Sequence, residues 1–122
     1  MNGNWQALKT LYADTAKVMN NVTKEKGVSI EATIKDFQQD HELFSSISFD
    51  ADDFEMVVTD EGETWVNYWG VWKATLKANG EKFEMPLHIT QQFINQKIVL
   101  EYGYWNSSAV ALALTKLEAA TP

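Results

Sequence analysis

From residue 64 to residue 105 the sequence reads as three runs of alternating apolar and polar side chains, at about 64–77, 82–94 and 97–105, separated by two short polar breaks. A period of two sends successive side chains to opposite sides of a strand, and runs joined by breaks this short fold back on one another as an antiparallel meander. The first break holds Asn79-Gly80. That pair is the strongest short hairpin signal, because both residues accept positive φ and the resulting turn matches the twist of the strands. Asn95-Gln96 in the second break is a weaker one.

Two-residue turns at both breaks would fix the register. Trp72 would then stand opposite Leu87, Tyr68 opposite Gln91 and Val71 opposite His88. Across the second hairpin Leu87 would stand opposite Tyr104, Ile89 opposite Tyr102 and His88 opposite Gly103. One face would carry Tyr68, Trp72, Met85, Leu87, Tyr102 and Tyr104, and is apolar enough to need a cover. The reverse would carry Trp69, His88, Glu101 and Trp105 among polar neighbours, a mixture that suits solvent in part and a second subunit in part. The aromatic run WVNYWGVWK, residues 65–73, is therefore expected to serve two surfaces.

The cover is expected from two N-terminal helices. Asn4 can cap a short helix on which Trp5, Leu8, Leu11 and Tyr12 recur at helical spacing. Residues 13–20 read as a short extended exit and 22–27 as polar loop. Ser29 is the expected N-cap of a second helix running to about Phe44, with Ile30, Ile34, Phe37, His41 and Phe44 on one buried stripe. A strand at about 46–59 follows, broken by Asp50, Asp52 and Asp53, which read as a solvated turn rather than a calcium loop because the glycine and the distant bidentate Glu are lacking. The tail, residues 107–122, fits a helix with Val110, Leu114 and Leu117 on one side, or a strand in which Val110, Leu112 and Leu114 alternate.

At 122 residues, 45% of them apolar, the chain suits a single domain over 1–122. A net charge of -7 with no local cluster of Lys and Arg makes nucleic acid and anionic membrane poor partners. No apolar run reaches the length of a membrane span, and the start MNGNWQALK lacks the form of a secretion signal, so the expected location is cytoplasmic. The absence of cysteine removes thiol chemistry, and the two histidines lack carboxylates at ligand spacing, so no metal is expected. Neither a phosphate-binding glycine loop nor a G-x-S-x-G elbow occurs, and no cofactor is expected.

The run GVWKATLKANGEKFEMPLHITQQFINQKIVLEYGYWN resembles the SnoaL-like branch of the nuclear transport factor 2-like superfamily. The likeness lies in the aromatic strand from Trp69 to Trp72, the strand at His88-Ile89, and F-I-N-Q-K-I at Phe93 to Ile98, which is similar to the family's F-x-D-G-K-I turn. Upstream, LYADTAKV with Asp14 and KGVSIEATIKDF resemble the family's helix exit and following helix, so the resemblance covers about residues 5–106. It implies an α+β cone: a strongly curved antiparallel sheet wrapped around N-terminal helices, often with a pocket, and subunits that pair through sheet surfaces. Polyketide cyclases, ketosteroid isomerases, dehydratases and purely binding proteins share the fold. The chain departs from the pattern twice. Trp5 falls where the second helix of most members begins, so their first helix is expected to be missing, and the slot where cyclase-type members carry a carboxylate falls near Tyr102 or Gly103.

With no carboxylate on the expected apolar face, the leading expectation is a pocket for a small hydrophobic molecule lined by Tyr68, Trp72, Met85, Leu87, Tyr102 and Tyr104, with His41 at its rim. The competing expectation is an isomerase, cyclase or dehydratase in which His41, or His88 paired with Glu101, handles a proton. A third is a homodimerisation domain without a ligand.

Overall fold

The computed structural model describes residues 4–120, the side chains of residues 51 and 52 excepted. In chain order the elements are α1 (Trp5–Thr10), β1 (Tyr12–Asn20), a single 3-10 turn (Lys24–Lys26), β2 (Val28–Ser29), α2 (Ile30–Leu43), β3 (Phe44–Val58), β4 (Thr64–Leu76), β5 (Lys82–Ile94), β6 (Lys97–Trp105) and α3 (Ser108–Ala120). The strands form one curled sheet in the order β2-β1-β6-β5-β4-β3. Among the described residues no helix is long and apolar enough to cross a membrane.

Each helix starts where a side chain can take up its free N–H groups. Asn4 accepts from the Ala7 N–H at 3.1 Å and Ser29 from the Ala32 N–H at 3.1 Å. Asn106 accepts from both the backbone N–H and the hydroxyl of Ser108, at 3.0 and 2.6 Å. The stripe along α2 is as its spacing requires: Ile30 and Ile34 are buried, Phe37 and His41 half-buried, and Phe44, at the first position of β3, is buried. The tail is a helix rather than a strand.

The sheet is mixed, not wholly antiparallel. Residues 13–20 are no mere exit: β1 lies between β2 and β6 and runs parallel to β6. Val18 and Met19, adjacent in sequence, are both buried, so both sides of this strand are covered and no period of two marks it. The acidic residues near position 50 do not break β3. Asp50 and Asp53 both stay in the ladder, with a bulge between Ala51 and Asp53, and Asp50 reaches Lys73 at 3.5 Å. The side chain of Asp52 lies outside the described ones.

The β4–β5 hairpin is looser than a two-residue turn. Leu76 N–H donates to the Glu81 carbonyl at 2.7 Å and Gly80 N–H donates to the Leu76 carbonyl at 2.8 Å, so residues 77–80 form the loop, with Gly80 at φ +73°. Pairing moves by two residues: Trp72 faces Met85, Tyr68 faces Ile89 and Trp69 faces His88. An even shift leaves every side chain on its expected face.

The β5–β6 hairpin behaves the other way. Asn95 and Gln96 take φ of +51° and +67°, a two-residue turn, and Ile94 pairs with Lys97 and Phe93 with Ile98 as expected. Gln92 then pairs with Leu100, which leaves Val99 as an extra, bulged residue. Beyond it Gln91 faces Glu101, Thr90 faces Tyr102, Ile89 faces Gly103, His88 faces Tyr104 and Leu87 faces Trp105. The expected register fails here by one residue, so Glu101, Gly103 and Trp105 join the concave face while Tyr102 and Tyr104 leave it.

Two apolar clusters fill the concave side. One joins Tyr12, Ala16, Val18, Ile30, Ile34 and Ile98, with Trp5 and Leu8 of α1 against it. The other joins Phe44, Ala74, Leu76, Phe83 and Ala113, with Trp72, Val110 and Leu117 packed on it. The first two helices thus cover one end of the sheet and α3 the other.

Candidate functional site

Between the two clusters lies a cavity of about 350 Å³, within the range of small-molecule sites. Tyr12 and Leu8 border it from the first cluster, Phe44 and Trp72 from the second. Gly70 allows the Phe49 ring to close over β4, since a Cβ there would lie 2.8 Å from that ring and 2.5 Å from the Asp50 carbonyl. Gly103 does the same for the Trp105 indole and the Asn20 amide oxygen, at 2.5 and 2.8 Å. Both rings line the cavity.

Its polar centre is Glu101, only 5% exposed. The bulge at Val99 turns this residue inward, directly across from Gln91. Tyr12, carried alongside by β1, donates its hydroxyl to Glu101 Oε1 at 2.6 Å, and Gln91 Nε2 donates to the same oxygen at 2.5 Å. Burial, then the charge of the Glu101 carboxylate, push the Tyr12 hydroxyl far above the usual phenol range, so it remains a proton donor. No fully buried side-chain nitrogen or oxygen among the described residues lacks a partner. Both donors to Glu101 are taken by Oε1, and Oε2 therefore borders open space, which for a residue lining the cavity is the cavity itself.

The opposite wall comes from α2. Asp40 and His41 line the cavity there. Burial raises the Asp40 carboxyl, Asp36 raises it further, and His41 opposes them. His41 Nδ1 lies 3.0 Å from the Phe37 carbonyl oxygen, which can only accept, so Nδ1 carries the proton and Nε2 is the nitrogen left for other partners. The ring also meets Trp5 edge-on at 5.0 Å.

Of the residues expected from the sequence, Trp72, Met85, Leu87, His41 and Glu101 line this cavity. Tyr68, Tyr102, Tyr104 and His88 do not. Tyr68 is on the concave face, its phenol raised by burial and by the nearby Glu101 carboxylate, with Phe54 against it at 6.1 Å. Tyr102 and Tyr104 lie on the convex face for the reason given above. His88 lies there too, with Nδ1 3.0 Å from the Tyr68 carbonyl oxygen, and the expected pair of His88 with Glu101 does not form because the two occupy opposite faces. Tyr12, Gln91 and Trp105 belong to the site without having been expected in it. A more open depression of about 390 Å³ beside α1, lined by Gln6, Lys9, Asp14 and Lys97 among others, shares only the Tyr12 edge of this network.

The convex face carries a run of rings instead. Trp69 meets His88 at 4.9 Å, His88 stacks with Tyr104 at 6.3 Å, Tyr104 with Tyr102 at 6.4 Å, and Tyr102 meets Trp65 at 6.3 Å. Trp69 is 41% and Tyr104 51% exposed. Among the described residues no group of His, Asp and Glu side chains is arranged to hold a metal ion.

No family model and no curated protein matches the sequence. Solved structures do match in three dimensions. PrhC from Penicillium brasilianum superposes with a TM-score of 0.77 at 13% identity, over 97% of this chain and 80% of its own. A candidate SnoaL-like polyketide cyclase from Jannaschia sp. CCS1 gives 0.72 at 13% identity, over 91% and 78%. IdmH, a candidate polyketide cyclase from Streptomyces antibioticus, gives 0.71 at 16% identity, over 93% and 88%. The chain has the cone fold of the SnoaL-like, nuclear transport factor 2-like superfamily.

Proposed function

We propose that this protein binds a small, largely apolar molecule in the cavity between α2 and the sheet, with Glu101 as its polar anchor. The observation that carries this reading is a buried carboxylate with one oxygen held by two donors and the other facing an apolar space of about 350 Å³. Trp72 and Trp105 line that space and supply the readout. A panel of hydrophobic alcohols, ketones and amines should include compounds that change tryptophan fluorescence and raise the melting temperature. Met85→Trp, which fills the cavity from β5, should abolish both responses while the fold persists. A panel without any response, or responses that survive in M85W, would contradict the reading.

A second reading is favoured by the presence of two carboxylates in different surroundings. Glu101 would take a proton from carbon next to a carbonyl and Asp40, whose carboxyl is held above the ordinary range, would return one, the division of labour that isomerase, cyclase or dehydratase chemistry uses. The descriptions of the Jannaschia protein and IdmH as candidate cyclases support it. Its test is turnover of a hydrophobic carbonyl compound that falls at least about a hundredfold in Glu101→Gln.

Pairing of two subunits is proposed through the convex face, where Trp69 and Tyr104 present open rings. Sedimentation at micromolar concentration should show a dimer, and Trp69→Lys with Tyr104→Lys should return the monomer.

A further inference from the structure

The cavity is short of positive charge, and this bears on what fills it. Resting on the binding reading above, we infer that its ligand is a hydrophobic ammonium ion, a protonated amine on an apolar body of about ten non-hydrogen atoms.

Three observations point the same way. First, Glu101 has no counter-ion among the described residues. The ion pairs among the described residues are Lys9 with Glu31 and Lys73 with Asp50, both away from it, and its two partners, Tyr12 and Gln91, are neutral. A buried carboxylate without a cation is costly unless something else supplies one. The Oε2 atom, open to the cavity and without a donor, is where an ammonium N–H would bind. Second, among the described residues no Lys or Arg lines the space: the ionisable groups there are Asp40, Glu101, Tyr12 and His41, of which His41 alone can carry positive charge. An anionic ligand would meet two carboxylates at close range. Third, aromatic rings make up much of the wall, with Phe37, Phe49, Trp72 and Trp105 joining Tyr12 and Phe44. Ring faces attract cations most strongly where water is excluded. The volume of about 350 Å³ corresponds to roughly ten waters at their share of the liquid, which sets the size of the guest.

Three near-isosteric probes separate charge from shape: phenethylammonium, 2-phenylethanol and phenylacetate, titrated at pH 7 by calorimetry and by tryptophan fluorescence. The ammonium ion should bind at least tenfold tighter than the alcohol, and phenylacetate weakest of the three. Glu101→Gln, which keeps the shape and removes the charge, should erase the ammonium ion's advantage over the alcohol. If E101Q does not fold, Asp40→Asn and Trp72→Leu should each reduce that advantage by a smaller factor. Equal affinity for alcohol and ammonium ion in the wild-type protein would overturn the inference and leave the binding reading standing. No binding of any of the three, with responses in the wider panel confined to its alcohols and ketones, overturns the inference alone, whereas responses led by its amines uphold it. Silence from both sets overturns the binding reading as well.

Discussion

The two hairpins that share β5 differ in where their irregularity lies. The β4–β5 hairpin has a four-residue loop and then a regular ladder from Thr75-Lys82 to Thr64-Phe93. The β5–β6 hairpin closes tightly at Asn95-Gln96 and then admits one extra residue, Val99. An irregularity confined to a loop changes neighbours along the strand but keeps side chains on their faces. One bulged residue inside the ladder exchanges the faces of everything beyond it. Here that exchange brings Glu101 into the cavity and puts Tyr102 and Tyr104 on the outside. The chemistry of the site thus depends on one position in β6.

The comparison can be broken at its regular half first. Gly70→Ala places a methyl 2.5 Å from the Asp50 carbonyl, a backbone atom, and 2.8 Å from the Phe49 ring. It should cost about 3 kcal/mol in denaturant unfolding. A cost below ~1 kcal/mol would mean that β3 does not approach β4 as described.

Next in size is the contrast between adjacent residues of β6. Trp105→Ala should lose about 2 kcal/mol and weaken ligand binding, because the indole lines the cavity. Tyr104→Ala should lose less than about 1 kcal/mol and leave binding intact, its ring being 51% exposed on the other side. The reverse ranking would place Tyr104 inside.

Removing the bulge itself, with an effect smaller than that of Trp105→Ala, is the most pointed change. If Val99 is the supernumerary residue, deleting it leaves Phe93 opposite Ile98 and Gln92 opposite Leu100, and Glu101 stays inward. The deletion should cost about 1–2 kcal/mol through the neighbouring β1 pairing and preserve ligand binding. Loss of binding in a folded deletion variant would show that Val99 is an ordinary ladder residue.

Much of the architecture was legible because local signals agreed. Ser29 as a cap and the stripe from Ile30 to Phe44 located α2, and β5 and β6 begin and end where their alternation does. Two features lacked such signals. In β1 the neighbours Val18 and Met19 are buried on opposite sides, so the strand shows no alternation to read. In β6 the three apolar residues Ile98, Val99 and Leu100 follow one another, and with no polar side chain among them either parity fits. The partnership of Glu101 with Tyr12 spans 89 positions in the chain and depends on a parallel pairing of β1 with β6 that no turn announces. The site was therefore half visible: Trp72, Met85 and Leu87 sit before the bulge and keep their expected face, whereas the tyrosines beyond it do not.

The site depends on the register of β6, and cross-strand backbone NOEs measured on the isotopically labelled protein report it directly. The structure predicts contacts of Thr90 with Tyr102, of Gln91 with Glu101 and of His88 with Tyr104. Contacts of Thr90 with Glu101 and of His88 with Gly103 would put the carboxylate on the convex side and remove the basis for the site.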